Sequence, residues 1–264
     1  MVARVRVQVL GSGSKGNSTL VRAGELHLLV DAGLGLRELR SRLEHARVPF
    51  RGLEHIVLTH AHLDHARSAG ALAKSHGATV HCAEAMMANR SVARAPKKST
   101  HRIGQRLPLS GARGDELELH TVPLPHDCHP TVAVSLSHKG RRFVQLTDMG
   151  HPVDAAARAL AGAHVLMLEF NHCPRMLHDG PYPESLKRRV LGDQGHLSNE
   201  QAAVMLRCMA GPELHTLILA HLSETNNTPD LARQAAEDTL AAMGRRDVRV
   251  LIAPQHEILE ELEV

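Results

Sequence analysis

The segment His60-Ala61-His62-Leu63-Asp64-His65 places three imidazoles and a carboxylate within six residues. It follows the apolar run at 55–58, so these side chains would be presented from a loop at the end of a strand. Imidazole nitrogens suit zinc, and carboxylate oxygens also suit manganese and other hard ions. The spacing therefore predicts a centre for two divalent metal ions, zinc or manganese, rather than a chance cluster in a chain with 21 histidines.

A centre for two metals needs more ligands, and three later positions offer them. His126, Asp148 and His221 each come shortly after a segment with the pattern of a strand. Loops at one edge of a sheet sandwich can converge on a common site. A lone histidine at a strand end is more often a surface or hydrogen-bonded residue, and Asp148 alone would suit a turn. Their shared placement, together with the first cluster, favours the ligand interpretation.

The elements that would carry these loops follow from hydrophobic periodicity. The patterns predict strands over residues 4–10, 19–21, 26–30, 55–58, 79–81, 116–122, 132–137, 143–146, 165–170, 216–220 and 248–252. Helical spacing predicts helices over residues 34–46, 66–75, 152–160, 183–190, 198–209 and 229–242. The basic segment 91–100, with Lys97 and Lys98, is predicted to be a loop, either solvated or tracking a nucleic-acid backbone. This order predicts an α/β fold of two packed sheets with helices outside, in one domain over residues 1–264.

The composition excludes several classes of protein. With 43% hydrophobic residues the chain is globular, and its net charge of +3 tolerates a polyanionic partner without requiring one. No tryptophan, one tyrosine and three phenylalanines leave little for base-stacking platforms. The four cysteines form no C-x-x-C pair, which indicates a reducing compartment. With no signal-peptide core and no apolar run near the ~18 residues of a membrane span, we expect a cytoplasmic protein without a membrane partner and leave its oligomeric state open.

A glycine-rich loop near the start of the chain resembles a dinucleotide-binding fingerprint. Gly11, Gly13 and Gly16 have the spacing G-x-G-x-x-G, and Asp31 follows where a ribose-binding acid would stand. That fingerprint needs a helix to begin inside the loop, whereas residues 17–30 have the pattern of a strand pair. We expect either a solvated β-turn or a loop that approaches a ligand. In the second case four residues would donate hydrogen bonds to a phosphate: Ser12, Ser14, Lys15 and Asn17.

Taken together, these motifs resemble the metallo-β-lactamase superfamily, and within it the YycJ/WalJ-type group of bacterial nuclease-like proteins. The H-x-H-x-D-H cluster is specific to the superfamily, and the segments around His196 and Asn226-Asn227 narrow it to the group. The resemblance covers nearly the whole chain through segments 11–18, 31–33, 60–65, 125–127, 147–150, 169–172, 180–183, 195–199, 221–223 and 226–227. It implies an αββα sandwich, in which two mixed β-sheets are flanked by helices.

The resemblance also implies a ligand set. The ligands divide into two groups and a bridge: His60, His62 and His126 for one metal, Asp64, His65 and His221 for the second, and Asp148 between them. Cys173 departs from the pattern, because many relatives have an acidic residue after the segment that corresponds to Asn171-His172. We expect Cys173 to lie beside the ligand set rather than in it.

This ligand set implies hydrolysis of a phosphodiester. Two divalent ions ~3.5–4 Å apart would lower the pKa of a bridging water and provide a hydroxide nucleophile near neutral pH. Asp64 has a second expected role in orienting that hydroxide, and His196 is expected to contact the scissile phosphate or to protonate the leaving oxygen. Further expected substrate contacts are His172, which could instead orient a ligand, and Ser223, Asn226 and Asn227. By resemblance we expect a DNA exonuclease directed to the 5′ end, with DNA preferred over RNA.

Other functions use the same residues. A small cyclic phosphodiester would be cleaved by the same groups, and a thioester or lactam hydrolase would use the same ligands on a carbonyl substrate. A non-catalytic regulatory module of this fold would show a lost ligand, whereas every expected position is filled here. A structural zinc site is disfavoured because such sites are usually closed, rich in cysteine and mononuclear.

Overall fold

The computed structural model describes residues 5–49 and 51–264. Its strands are β1 (Val5–Gly11), β2 (Ser18–Ala23), β3 (Leu26–Val30), β4 (His55–Val57), β5 (Thr79–Cys82), β6 (Lys97–Thr100), β7 (Arg106–Ser110), β8 (Glu116–Leu124), β9 (Thr131–His138), β10 (Arg141–Leu146), β11 (Val165–Glu169), β12 (Thr216–Ala220), β13 (Arg249–Ile252) and β14 (Leu262–Glu263). The α-helices are α1 (Leu36–His45), α2 (Leu63–Ala66), α3 (Ala69–His76), α4 (Arg90–Ala93), α5 (Asp154–Leu160), α6 (Pro174–Asp179), α7 (Glu184–Leu191), α8 (Asn199–Met209) and α9 (Pro229–Ala242), with a 3₁₀ turn at Glu84–Met86.

Two seven-stranded mixed sheets form the sandwich, with strand orders β14-β1-β2-β3-β4-β5-β6 and β13-β12-β11-β10-β9-β8-β7. Each sheet combines antiparallel and parallel pairings. The strands from β3 to β6 pair in parallel in the first sheet, and those from β10 to β13 pair in parallel in the second. Parallel neighbours need crossover connections, which the helices supply. The expected αββα sandwich of two mixed sheets flanked by helices is confirmed.

Strand alternation explains the three layers of core. Leu28 and Val57 point between the sheets, where they join the central cluster of buried residues. Their neighbours Leu29 and Ile56 point to the opposite face, where they pack under α1 and α3. The second sheet repeats this arrangement, with Leu166 and Leu168 packed under α5, α8 and α9. Because successive side chains of a strand face opposite sides, each sheet is apolar on both faces.

The predicted elements agree with the structure in most places. The strand at 216–220 and the helix at 229–242 are confirmed with the predicted bounds. The predicted helix at 66–75 is instead two helices, α2 and α3, which are separated at Arg67 and Ser68. The predicted first strand starts at Arg4, which lies outside the described residues. The segments α6, β7 and β14 were not predicted; α6 and β14 are short, and β7 contains a proline.

The prediction that residues 91–100 form a loop is wrong. This segment contains the end of α4 and the whole of β6, which pairs in parallel with β5. β6 is the outermost strand of its sheet, and Lys97 and Lys98 are exposed on it. Charged residues protect an edge strand from pairing with other chains, and they also give the segment the composition of a loop.

The glycine-rich loop is not the start of a dinucleotide-binding helix, because β2 begins at Ser18 directly after it. The loop packs against the histidine cluster instead. The backbone N–H of Asn17 donates to the Asp64 carbonyl at 2.7 Å. Gly33 lies even closer, since a Cβ atom there would be 1.6 Å from the Asp64 carbonyl oxygen. The two loops therefore fix the backbone that carries Asp64. Among the described residues, no helix has the length and apolar character to cross a membrane.

Candidate metal centre

The predicted ligands lie on loops that follow β4, β8, β10 and β12, and the fold brings these loops together. Within each of three groups, the nitrogen and oxygen atoms that could hold a metal all lie within 4.8 Å of one another. The groups are His60, His62 and His126; Asp64, His65 and His221; and His60, His65 and Asp148. The first two groups contain the same residues as the two ligand sets that the resemblance implies, and the third joins Asp148 to one histidine of each.

In the first group, hydrogen bonds at one ring nitrogen leave the other free for a metal. His126 donates from Nδ1 to the Gly195 carbonyl at 3.0 Å, and His60 Nδ1 lies 3.1 Å from the Thr59 hydroxyl. The Nε2 atoms of His60 and His126 are buried without a hydrogen-bond partner among the described residues. Buried polar atoms are almost always paired. Orphaned imidazole nitrogens that face one another are the donor set that a transition metal requires.

Asp31 orients the central ligand of the second group. His65 Nδ1 donates to Asp31 Oδ2 at 2.8 Å, and the same carboxylate accepts the backbone N–H of Thr59 at 2.9 Å. His65 Nε2 then lies 3.1 Å from Asp148 Oδ2 and 3.6 Å from Asp64 Oδ2. A carboxylate behind a ligating histidine fixes its tautomer and ring orientation. Asp31 was considered from the sequence only as a ribose-binding acid; its position at the end of β3, beside β4, was the available signal.

His221 completes the second group from the end of β12. Its Nε2 lies 3.6 Å from Asp64 Oδ2 and 3.7 Å from Asp148 Oδ1. Its backbone has a φ of 55°, and those of Asp31 and Asp148 are 63° and 64°. Positive φ is uncommon in residues other than glycine and costs about 1–3 kcal/mol where surrounding structure enforces it. The strain at all three positions shows that the fold specifies where these side chains point.

A second carboxylate lies deeper in the site and pairs with His196. Glu169 is fully buried at the end of β11, and His196 Nδ1 donates to its Oε1 at 2.8 Å. Glu169 Oε2 accepts the backbone N–H groups of Met149 and Leu197 at 3.0 and 3.2 Å. No role was predicted for Glu169 from the sequence, although an acid that ends an otherwise apolar strand was a usable signal. Glu169, His196, His221 and Asp148 form a further possible ligand group.

The carboxylates of the centre are ionised despite their burial. Burial alone would raise the pKa of Asp148, but the nearby His221 and His65 hold it well below its usual value. Burial likewise opposes ionisation of Glu169, yet the charge and hydrogen bond of His196 lower its pKa to about 2. The site therefore concentrates negative charge inside the protein. Such a pocket is stable only when cations or donated hydrogen bonds compensate it.

The histidines respond to the same charges in opposite ways. Burial lowers the pKa of His60 well below 6.5, and its histidine neighbours add to the effect, so His60 is neutral as a ligand must be. Burial also disfavours the charge on His221, but the nearby carboxylates of Asp148, Asp64 and Glu169 raise its pKa to about 10. Asp148 and Asp31 raise the pKa of His65 in the same way. A divalent ion would have to displace these protons, because ligands bind metal in their deprotonated form. The residues present fit a divalent metal in donor type and in charge.

A cleft of about 240 Å³ opens over the ligand groups. Of the residues predicted to contact substrate, Ser14, Ser223 and Asn226 line this cleft, as do Asp64 and His196. Lys15 is exposed beside it, and its Nζ is 2.8 Å from Glu224. The cleft therefore combines the ligand carboxylates with a small number of hydroxyl and amide groups.

The other predicted substrate contacts lie beneath the cleft and not on its surface. The Ser12 hydroxyl accepts the backbone N–H of His221 at 2.9 Å. The side-chain amide nitrogen of Asn17 donates to the Gly13 carbonyl and lies 2.9 Å from His65 Nε2. Asn227 donates to the Phe170 carbonyl at 2.9 Å, and neither ring nitrogen of the buried His172 has a hydrogen-bond partner among the residues that the structure describes. These positions support the ligand loops from below.

Several residues that line the cleft were not predicted from the sequence. Asp127 Oδ1 lies 3.5 Å from His62 Nε2 and 3.4 Å from His126 Nε2, and its Oδ2 accepts Arg189 Nε at 2.6 Å. Tyr182 and Arg189 contribute to one wall, from the segment around α7. Cys173 belongs to none of the ligand groups found in the described part of the chain; its backbone N–H donates to the Asn226 carbonyl at 2.8 Å.

Comparison with known proteins agrees with this geometry. The family model described as metallo-beta-lactamase superfamily matches residues 11–221. The exodeoxyribonuclease YycJ of Bacillus anthracis is 32% identical over 241 residues, which are 89% of each chain. The exodeoxyribonuclease WalJ of Streptococcus pneumoniae serotype 2 is 30% identical over 240 residues, covering 89% of this chain and 88% of that one. The crystal structure of the metallo-beta-lactamase fold protein YhfI from Bacillus subtilis has a TM-score of 0.74 at 19% identity, covering 98% of this chain and all of that one.

The chain belongs to the metallo-β-lactamase superfamily, and it is similar to the YycJ/WalJ-type members over most of its length. The predicted resemblance is confirmed. The chain is a metal-dependent hydrolase, with clusters of histidine and aspartate on the loops that follow β4, β8, β10 and β12.

Proposed function

We propose that the protein is a dinuclear metal-dependent phosphodiesterase that removes nucleotides from the 5′ end of DNA. The observation that carries the proposal is the convergence of the two ligand groups with Asp148, in which the Nε2 atoms of His60, His126 and His221 are buried without a hydrogen-bond partner among the described residues. The relatives named exodeoxyribonucleases, at 30% and 32% identity, support DNA as the substrate and an end as the point of attack. The 5′ direction is our expectation from the resemblance of the motifs.

The two ligand groups would each hold one divalent ion, zinc or manganese, with the carboxylate of Asp148 between them. Bound ions would supply a water molecule acidic enough to act as nucleophile at neutral pH and would neutralise charge on the phosphate. The mixture of imidazole and carboxylate ligands is compatible with either metal.

Asp64 has two tasks in this proposal. Its Oδ2 lies 3.6 Å from both His65 Nε2 and His221 Nε2, so it belongs to the second ligand group. It also lines the cleft and is only partly buried. The nearby imidazoles of His221 and His65 outweigh the effect of burial and keep the pKa of Asp64 low. An ionised carboxylate at this position accepts a hydrogen bond from the attacking water and orients it toward the phosphorus.

His196, positioned by Glu169, would donate a proton to the leaving group. Glu169 engages His196 Nδ1, which leaves Nε2 as the ring nitrogen available to the cleft. The buried carboxylate fixes the orientation of the ring, so that a proton on Nε2 can be donated to the leaving oxygen or to a phosphate oxygen. A positioned general acid typically contributes about 10²–10⁴-fold to the rate.

The small size of the cleft favours one competing substrate, a small cyclic phosphodiester. A volume of about 240 Å³ is below the ~300–1,000 Å³ typical of sites that enclose a drug-sized ligand. It accommodates the end of a strand or a small molecule more readily than a continuous duplex. Nothing in the geometry favours a thioester or lactam over a phosphodiester.

The test is cleavage of DNA and RNA oligonucleotides labelled at the 5′ or the 3′ end, single-stranded and duplex, with metal content measured on the same sample. We expect release of mononucleotides from the 5′ end of DNA, abolished by chelator and by Asp64→Ala. His45→Ala, which changes an exposed histidine on α1, is the matched control and should have no effect. Cleavage of a cyclic dinucleotide without cleavage of any polymer would replace the exonuclease by the small-molecule alternative.

A further inference from the structure

We propose that the segment from α6 to Gly195 forms a subsite for the terminal nucleotide, in which Tyr182 stacks on the base and Arg189 binds a phosphate oxygen. This inference rests on the proposed function, because it assigns the part of the same cleft that recognises the strand end. The segment lies between β11, which carries Glu169, and α8, and it forms one wall of the cleft.

Tyr182 is placed to contact a flat ligand. It lies in the loop between α6 and α7, lines the cleft and is half-buried. The chain has no tryptophan and no other tyrosine. Phe143 and Phe170 are fully buried, and Phe50 is outside the described residues. Among the described Phe, Tyr and Trp residues, Tyr182 is therefore the one with ring surface available to a ligand. Base–aromatic stacking tolerates any base, because every base has a π-face.

Two aliphatic side chains line the cleft together with Tyr182. Leu186 and Val190 line the same wall. Leu191 follows on α7 and is 55% exposed, and Leu63, between two ligands, is 65% exposed. Both are next to cleft-lining residues in the chain, Leu191 after Val190 and Leu63 between His62 and Asp64. Exposed apolar surface grouped beside a site indicates a ligand with an apolar face. A nucleobase has such a face, whereas a sugar-phosphate backbone does not.

Arg189 supplies the charge that a phosphate requires. Its Nε donates to Asp127 Oδ2 at 2.6 Å, and Asp127 Oδ1 lies 3.5 Å from His62 Nε2. The ion pair therefore fixes the guanidinium next to the first ligand group. No hydrogen bond occupies its Nη atoms within the described part of the chain, and the side chain lines the cleft. An arginine held in this way can bind two oxygens of one phosphate.

The two contacts together define a substrate preference. A base can stack on Tyr182 only when one of its faces is not covered by a neighbouring base. The terminal base of a duplex also has one uncovered face, but it carries its pairing partner, and a cleft of about 240 Å³ accommodates a single nucleotide more readily than a base pair. We therefore expect the protein to act on unpaired ends faster than on blunt duplex ends.

The single tyrosine provides a direct test of base binding. In the metal-loaded protein, tyrosine fluorescence reports only Tyr182, because the chain lacks tryptophan. We expect deoxyadenosine 5′-monophosphate to quench it with an affinity about five- to 150-fold higher than deoxyribose 5-phosphate, the range given by one stacking contact. Free N-acetyltyrosinamide in a matched cuvette corrects for absorption by the base. Equal affinities of the two ligands would overturn the assignment of Tyr182.

Kinetics on two oligonucleotides separate the subsite from the reaction. With an ordinary terminal nucleotide, Tyr182→Ala should raise KM about five- to 150-fold, and with an abasic terminal unit it should leave KM unchanged. Tyr182→Phe keeps the ring and should behave as wild type in both cases. Equal effects of Tyr182→Ala on the two substrates would contradict base stacking.

The role of Arg189 has its own matched control. Arg189→Ala should raise KM for both oligonucleotides, because each retains its phosphates. Arg188→Ala removes an exposed arginine of the same helix that does not line the cleft, and it should leave KM unchanged. If Arg189→Ala matches Arg188→Ala, the phosphate contact is wrong. If the wild-type protein cleaves no nucleic acid, the proposed exonuclease fails instead, and the fluorescence titration still decides whether the cleft binds a nucleotide.

Discussion

His196 Nδ1 lies 2.8 Å from Oε1 of Glu169, a carboxylate that has no exposure to solvent. The two residues belong to different segments, the end of β11 and the loop before α8, and the pair faces the cleft only through the histidine. The remaining ring nitrogen is the one group of the pair that a substrate can reach.

This pair predicts how a change at either residue affects turnover. His196→Ala should lower kcat by about 10²–10⁴-fold with a smaller change in KM, because it removes the proton donor. Glu169→Gln should also lower kcat, because a neutral amide replaces the carboxylate that holds His196 Nδ1. Both losses should shrink with thymidine 5′-(p-nitrophenyl phosphate), whose leaving group needs no protonation. A loss of equal size on that substrate would contradict the role of proton donor.

A substitution at Asp31 should change the affinity for metal rather than the affinity for substrate. Asp31→Asn removes the charge behind His65, and we expect metal affinity to fall about 10–100-fold. The measurement is a competition titration of metal-stripped protein against a chromophoric chelator. Asp115→Asn is the control, since Asp115 accepts the backbone N–H of Glu25 at 2.8 Å and belongs to no ligand group in the described chain. Unchanged affinity in Asp31→Asn would show that His65 does not depend on this contact.

A substitution at Gly33 should create a packing defect next to the loop that carries Asp64. In Gly33→Ala the new Cβ would be 1.6 Å from the Asp64 carbonyl oxygen, so the backbone must move. Overpacking of this kind costs about 1–3 kcal/mol or more, and here it also displaces Asp64. We expect a lower free energy of unfolding and weaker metal binding. Gly35→Ala has no atom within 4 Å of the added Cβ and should change the free energy of unfolding far less.

Buried histidines away from the metal centre predict how stability depends on pH. His81 lies 2.9 Å from His55, and burial, together with the charges of His55 and His101, lowers its pKa from 6.5 to about 3. Above about pH 6.5 His81 is neutral in both the folded and the unfolded chain, so pH has no effect through it. Below that value the unfolded chain takes up the proton first, and the free energy of unfolding falls by at most about 2 kcal/mol down to pH 5.

Urea unfolding of the metal-stripped protein at pH 7, 6 and 5 measures this dependence. His81→Gln keeps an amide donor for His55 and does not titrate, so its stability should fall less steeply with falling pH than that of the wild type. Parallel slopes for the two proteins would show that His81 is not neutral in the folded state.

Site residues could be predicted from the sequence when the residues that interact are close together along the chain. His60, His62, Asp64 and His65 are adjacent in the chain, and their spacing alone indicated a metal centre. The pairs Asp31–His65 and Glu169–His196 are 34 and 27 residues apart, so only the folded chain shows that they touch. The same limit applies to Asn17 and Asn227, which were expected to contact substrate and are buried beneath the cleft.

The elements show a related limit. β12 is a continuous apolar run inside the second sheet, and its bounds follow from its composition. β6 has a charged, loop-like sequence because it is an edge strand, so hydrophobic pattern could not identify it. Tyr182 follows the short helix α6, whose length gives no periodic signal. Its position over the metal centre depends on how that segment folds back against the sheet.

The most direct test of the central claim is a titration of metal-stripped protein with manganese or zinc while mononucleotide release from 5′-labelled single-stranded DNA is followed. If the two ligand groups act as one dinuclear centre, release should remain low at one equivalent of metal and rise to its full rate with the second. Full activity at one equivalent, or no release at two, would contradict a dinuclear exonuclease.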